Sequence, residues 1–207
     1  NDWVEARASE AIARVDDDLQ VVLLCGTIDK NENGFTFLQN REGMKEVRSY
    51  WRMTIDLDQE IPEPVLPDGV TIRPWSEVTD TVTLADIART DEEGFRDHYG
   101  HTEQPFEVML KHWEHWVTSD KVDPALWFLP MTAEGELTGV SLCETKAENV
   151  DNWGYLDSLA VLPAWRRKGI ALALLHHSFR AFQERGYEKV HLHVDAQSLT
   201  GATRGDE

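Results

Sequence analysis

Arg166-Arg167-Lys168-Gly169-Ile170-Ala171 sets three basic side chains and a glycine directly ahead of a long apolar-periodic stretch. A glycine-bearing turn that feeds a helix leaves the first backbone N–H groups unpaired, and the helix dipole adds partial positive charge at the same point. This combination suits a phosphate or pyrophosphate. An ordinary strand-to-helix connection with solvated basic residues fits the local pattern as well. Neither G-x-G-x-x-G nor the P-loop pattern occurs, which disfavours a nucleotide-phosphate protein.

The elements that must hold this turn flank it. Leu156 to Val161 reads as a strand ended by Pro163, which cannot donate to a ladder. Ala171, Leu175, Ser178, Phe179 and Phe182 recur at helical spacing on one face, and Gly186 stands where a left-handed cap is wanted. On the strand, Tyr155, Asp157, Leu159 and Val161 share a face.

Leu159-x-Val161-x-Pro163 followed by Arg166-x-x-Gly169-x-Ala171 resembles the acetyl-CoA motif of the GNAT superfamily of N-acetyltransferases, written Q/R-x-x-G-x-G/A. The resemblance implies an α/β (α+β) fold with a mixed, mostly antiparallel central sheet flanked by helices. It implies acetyl transfer from acetyl-CoA, as acyl-donor substrate, to a primary amine of a small molecule or peptide. In that family the strand before the turn splays from its neighbour, so backbone groups of Leu159 and Val161, with Ala160 between them, would meet the donor. The pyrophosphate would sit on N–H groups of Arg166, Arg167, Lys168, Gly169, Ile170 and Ala171, with Arg166 and Lys168 adding charge. Acyl transfer also needs a base for the amine. Asp157 and Tyr155 could reach the acceptor, and Glu144, ending the preceding strand, is a further candidate. Each could equally be a plain sheet-edge polar group. His98 and Tyr99 lie in a loop that shapes the acceptor pocket in this family. His176, His177, His191, His193, Trp113 and Trp116 read as structural.

The formal net charge is −18 over 207 residues. Such a surface repels nucleic acid and anionic membranes, so neither is an expected partner. No apolar run reaches the ~20 residues a spanning helix needs. Cys25 and Cys143 sit in apolar contexts far apart and read as reduced core residues of a cytoplasmic protein. No Cys/His spacing suggests a metal site. A homodimer is left open.

In chain order, residues 2–15 fit an amphipathic helix, 21–25 a buried strand, 34–41 a short helix and 47–57 a strand. This order resembles the second half of a GNAT domain, so residues 1–58 are expected to be the C-terminal half of an upstream GNAT-like domain. Gln59 to Gly69 carries three prolines and reads as a linker. Val70-Thr71-Ile72-Arg73-Pro74 then resembles a first GNAT strand and opens the acetyl-CoA-binding domain, residues 70–207. One helix over 76–95, capped by Ser76 or Asp80, a second over 106–117, strands at 126–131 and 137–145, the strand and helix around the basic turn, and a strand at 189–194 follow. Residues 195–204 resemble the start of a further helix. The tyrosine that protonates the departing thiolate in tandem members has no counterpart, and the last two strands are missing. Either segments are absent, which is the favoured expectation, or the front piece completes the back sheet. Strands 21–25 and 47–57 beside 189–194 would mark completion. The mycothiol synthase group is a tandem-domain relative, which implies a cysteine-linked sugar amine among the acceptors. The alternative is a catalytically degenerate acyl-CoA-binding or interaction module.

Overall fold

The computed structural model describes residues 2–14, 22–147 and 150–197. The chain divides into two compact units, Asn1–Val47 and Arg48–Glu207. In the first, α1 (Asp2–Ile12) and α2 (Glu32–Gln39) are helices, and Asn31 caps α2 by accepting the Gly34 N–H at 3.0 Å. The strand expected at 21–25 does not form over its described residues: 22–28 are irregular, with Val22 and Leu24 exposed. A strand needs a neighbour for its backbone groups, and among the described residues none pairs with this run. Cys25 is accordingly exposed rather than in a core, whereas Cys143 is buried.

The second unit is built on six strands: β1 (Tyr50–Asp56), β2 (Val70–Pro74), β3 (Val122–Thr132), β4 (Gly139–Glu144), β5 (Trp153–Val161) and β6 (Lys189–Asp195). Their order is β1-β6-β5-β4-β3-β2. Every pairing is antiparallel except β5 with β6, which are joined through helix α5 (Ile170–Glu184) as a parallel pair requires. The mixed, mostly antiparallel sheet flanked by helices agrees with the sequence. Strand 50–56, grouped by sequence with the first segment, lies beside β6 in register from Tyr50↔Asp195 to Asp56↔Lys189.

Alternation along β3 sends side chains into two separate cores. Leu126 and Phe128 meet Ile170, Leu174 and Phe182 of α5, while Trp127 and Leu129 meet Ile87 of helix α3 (Leu84–Phe95). Trp127 is enclosed by Trp75, Trp113 and Trp116, the last two from helix α4 (Phe106–Trp116). The single helix expected over 76–95 is instead a 3₁₀ turn at Trp75–Glu77, a turn, and then α3. Its cap is neither Ser76 nor Asp80 but Thr83, whose hydroxyl accepts the Asp86 N–H while Asp86 accepts the Thr83 N–H. This reciprocal box satisfies donors that the earlier positions cannot.

Residues 57–63 run along α5. Leu57 and Ile61 are buried with its apolar face, Gln183 donates to the carbonyls of Leu57 and Gln59, and Arg180 donates to that of Ile61. The helix start expected within 195–204 falls mostly outside the described residues; 195–197 end β6 and turn.

Candidate active site

β5 carries two features that a regular strand would not show. Leu142 of β4 pairs with Ser158, but Cys143 pairs with Leu156, so Asp157 is an extra residue. Such a bulge reverses the side-chain alternation. Leu156 therefore packs on the α5 side, whereas Ala160, four residues on, packs on the α3 side. The second feature is the end of pairing with β6. Parallel partners run only from Trp153↔Lys189 to Leu156↔Leu192, although both strands continue. From Asp157 to Val161 β5 has no pairing with β6, and at its end the Val161 carbonyl is taken by Arg166. Leu159, Ala160 and Val161, expected to offer backbone groups to a donor, lie along this splay.

Beyond Val161 the chain makes a 3₁₀ turn at Pro163–Trp165 and reaches the basic segment. Arg167 and Gly169 both take left-handed backbone conformations, with φ of 63° and 83°. Gly169 is the helix cap and supplies no side-chain hydrogen bond; the first amide to turn inward is that of Ala173, donating to the Gly169 carbonyl at 3.0 Å. The amides of Ile170, Ala171 and Leu172 thus open the helix unpaired, and Ala171 and Leu172 are exposed beside Arg167 to Gly169. A left-handed non-glycine residue costs on the order of 1–3 kcal/mol and persists only where the surroundings impose it. Here the result is a concave row of N–H groups at a dipole's positive end, which fits a pyrophosphate.

The three basic side chains divide their work. Arg166 turns away from the row: its Nε donates to the Val161 carbonyl at 3.1 Å, Nη2 to the Gly94 carbonyl at 2.9 Å, and both Nη atoms to Asp97 at 2.5 and 3.0 Å. This pair holds the Asp97 carboxyl below the usual carboxylate range, chiefly through the Arg166 hydrogen bond. Arg166 therefore anchors the turn to the end of α3. Lys168 Nζ lies 4.4 Å over the Trp165 ring, and Arg167 is exposed.

The three base candidates meet on the side of the splay covered by α3 and α4. Glu144 pairs with Tyr155 across β4 and β5, and its Oε1 accepts the Trp116 indole N–H at 2.9 Å. Asp157 is exposed, yet the surrounding protein still desolvates the carboxyl and the Glu144 charge repels it. Together these push it up to about 6 against the pull of Lys121. Tyr155 is raised to about 12, first by burial and then by the charges of Asp157 and Glu144. It stays protonated at neutral pH, which makes it a hydroxyl donor rather than a base. Its oxygen lies 3.1 Å from His193 Nδ1.

Sequence reasoning missed two participants. His193 reads as structural from its alternation on β6 but contacts Tyr155. Asp91 is one acid in the run Asp91-Glu92-Glu93, yet it accepts a hydrogen bond from Ser158 Oγ beside the bulge. The available signal was its place on α3: four residues after Ile87 and three before Gly94, both buried, it falls on the inward face. His98 and Tyr99 lie near the end of β6. Burial lowers His98, which packs edge-on to Phe95, and Arg48 sits 4.3 Å over the Tyr99 ring while bonding Asp195. His177 packs against Phe128.

Residues 83–204 match the family described as acetyltransferase (GNAT) family. The chain belongs to this family. It is 32% identical over 167 residues to a mycothiol acetyltransferase of Thermobispora bispora, covering 78% of this chain and 53% of that protein. A mycothiol acetyltransferase of Saccharopolyspora erythraea is 27% identical over 161 residues, covering 78% and 50%. The chain thus spans about half the length of these curated relatives. Among solved structures, a GCN5-related N-acetyltransferase from Sphaerobacter thermophilus superposes with a TM-score of 0.73 at 30% identity, over 97% of this chain and 59% of that one. No helix among the described residues is long and apolar enough to cross a membrane.

Proposed function

We propose that the second unit carries an acetyl-CoA-dependent N-acetyltransferase site acting on a primary amine of a small molecule or peptide. The observation that carries this reading is the edge of β5 left without a β6 partner, from Asp157 to Val161, leading through the basic turn to the unpaired amides at Ile170–Leu172. A donor with an amide-bearing arm and a pyrophosphate would find backbone partners in that order. When bound, acetyl-CoA supplies the thioester acyl group and carries away the thiol.

This chain's own residues have separable tasks. Backbone N–H groups of residues 167–172 bind the pyrophosphate, and Arg166 holds their turn through Asp97 and Gly94. Asp157, ionised above about pH 6, takes the proton that the attacking amine must lose. Tyr155 keeps its proton and would hydrogen-bond the acceptor or the departing sulfur. Glu144, already held by Trp116, raises Asp157 rather than replacing it. Two relatives named mycothiol acetyltransferases make a cysteine-linked sugar amine the first acceptor to assay.

The test pairs two variants at the turn. Gly169→Pro imposes φ near −65° where the chain holds 83°, and acetyl-CoA binding by calorimetry should vanish. Ala171→Asp places a carboxylate in the first helical turn. That should stabilise the free helix by about 0.3–1 kcal/mol yet lower acetyl-CoA affinity at least tenfold, because the same charge opposes the phosphates. Unchanged affinity in both variants would overturn the assignment. Acetyl-CoA binding without thiol release across an amine panel would instead leave an acyl-CoA-binding module.

A further inference from the structure

Three successive contacts fasten α3 to β5 and its turn. Asp91 accepts from Ser158 Oγ, a Cβ on Gly94 would lie 2.6 Å from the Ala160 Cβ, and the Gly94 carbonyl and Asp97 carboxylate both take Arg166. Positions 91 and 94 lie one turn apart on α3, 97 follows in the turn just past its end, and 158 and 160 share a face of the strand. The upper two contacts secure the strand and the turn. The lowest falls on Ser158, the first residue after the bulge to regain a partner in β4.

A bulge can slip by one residue unless something fixes it, and a slip would exchange which side chain is re-aimed. Packing alone does not require a carboxylate at position 91. Its helical neighbours Ile87, Ala88 and Gly94 are buried, and a charge on such a face costs more than an apolar side chain of similar size.

We propose that Asp91, acting through Ser158, is a positioning residue that locks the β5 bulge in register and so aims Asp157 at the acceptor. Its consequence for the reaction rests on the reading of Asp157 as the base. The groups facing Asp157 are Glu144 from β4, Tyr155 from its own strand, Asp91 from α3 and Lys121 ahead of β3. Asp91 is itself pushed up to about 7, first by burial, against the Ser158 hydrogen bond and reinforced by Asp157 and Glu92. It therefore does not hold a full second charge beside Asp157 when the latter first ionises. A hydrogen-bonded anchor of this kind fixes a strand without cancelling the base.

The test reads Asp157 directly in the free protein. Carboxyl titration by NMR should give a midpoint near 6 for the wild type and for Asp91→Asn, whose side-chain carbonyl still accepts from Ser158. In Asp91→Ala and Ser158→Ala, a released bulge carries the already exposed Asp157 carboxyl away from the protein that desolvates it and from the Glu144 charge, and the midpoint should fall toward about 4. Acetylation kinetics with the best amine of the panel should show kcat at least tenfold lower in both alanine variants, with KM for the amine little changed, since a misplacement of about 1 Å costs on the order of a hundredfold. Unmoved midpoints in both alanine variants would overturn the inference, as would an Asp91→Asn protein that behaves like Asp91→Ala. Asp157→Asn separates the two readings: full activity there removes the base assignment, whereas the titration of the other variants still reports on the bulge. Ser158→Ala deletes only one hydroxyl and serves where Asp91→Ala unfolds.

Discussion

Asp157→Asn should yield a protein that is more stable than the wild type at pH 8 and nearly inactive. The side chain titrates near 6 in the folded chain, against about 3.9 for an unperturbed aspartate, a rise of about two units. At about 1.4 kcal/mol per unit the ceiling is near 3 kcal/mol. The carboxyl reaches solvent, so screening reduces the expected effect to about 1 kcal/mol. The sign follows from proton linkage. Below about pH 4 the group is protonated in both states and costs nothing. As pH rises through 4 to 6 the unfolded chain releases this proton first, and the native state loses stability until the folded group has ionised. Asparagine abolishes that loss. Urea unfolding should therefore show a variant about 1 kcal/mol more stable than the wild type at pH 8, with the difference closing toward pH 4. Thiol-release assays should show kcat/KM down by about 10²–10⁴-fold. In the wild type, kcat/KM should rise about tenfold per pH unit below 6 and level off above it. A side chain that destabilises the fold and is needed for activity has a functional reason to be there. An Asp157→Asn protein that is less stable at pH 8, or that keeps its activity, would refute this account.

Gly94→Ala should lower the melting temperature by several degrees, because the new methyl meets the Ala160 Cβ at 2.6 Å and overpacking costs about 1–3 kcal/mol against a helix-propensity gain of about 1. Adding Ala160→Gly should recover part of the loss, a coupling that a double-mutant cycle reads directly. Of the two thiols, Cys25 should react with Ellman's reagent at once. Cys143, buried and pushed up to about 12, should react only on unfolding, which stopped-flow labelling in urea distinguishes. Arg166→Lys should weaken acetyl-CoA binding in calorimetry severalfold, since lysine cannot bridge Asp97, Gly94 and Val161 at once. Equal affinity would show that the turn holds itself.

The parts of this site that were legible in the sequence are those set by local backbone chemistry. Proline after the strand and glycine at the helix cap set their own dihedrals and stand where the structure uses them, whereas Arg167, left-handed at φ 63°, is held there by its surroundings. The side chains around the turn were not legible, because their partners come from afar. Arg166 reads as a phosphate ligand until Asp97 and Gly94, some 70 residues earlier, take up its guanidinium. The bulge at Asp157 left no mark in the alternation, since Tyr155, Asp157, Leu159 and Val161 fit a regular strand on paper. Only the pairing of Cys143 with Leu156, and of Leu142 with Ser158, shows the inserted residue. The same limit explains the two ends of the first segment. Tyr50–Asp56 became a strand because β6 offered it a partner, and residues 22–28, just as apolar, find none among the described residues and stay irregular. Strand propensity is a statement about a neighbour. It follows that the edge of β5 is informative: a stretch apolar enough to pair, released from its neighbour at the bulge and led into a row of unpaired amides, is the feature on which the proposed acetyl-CoA site rests.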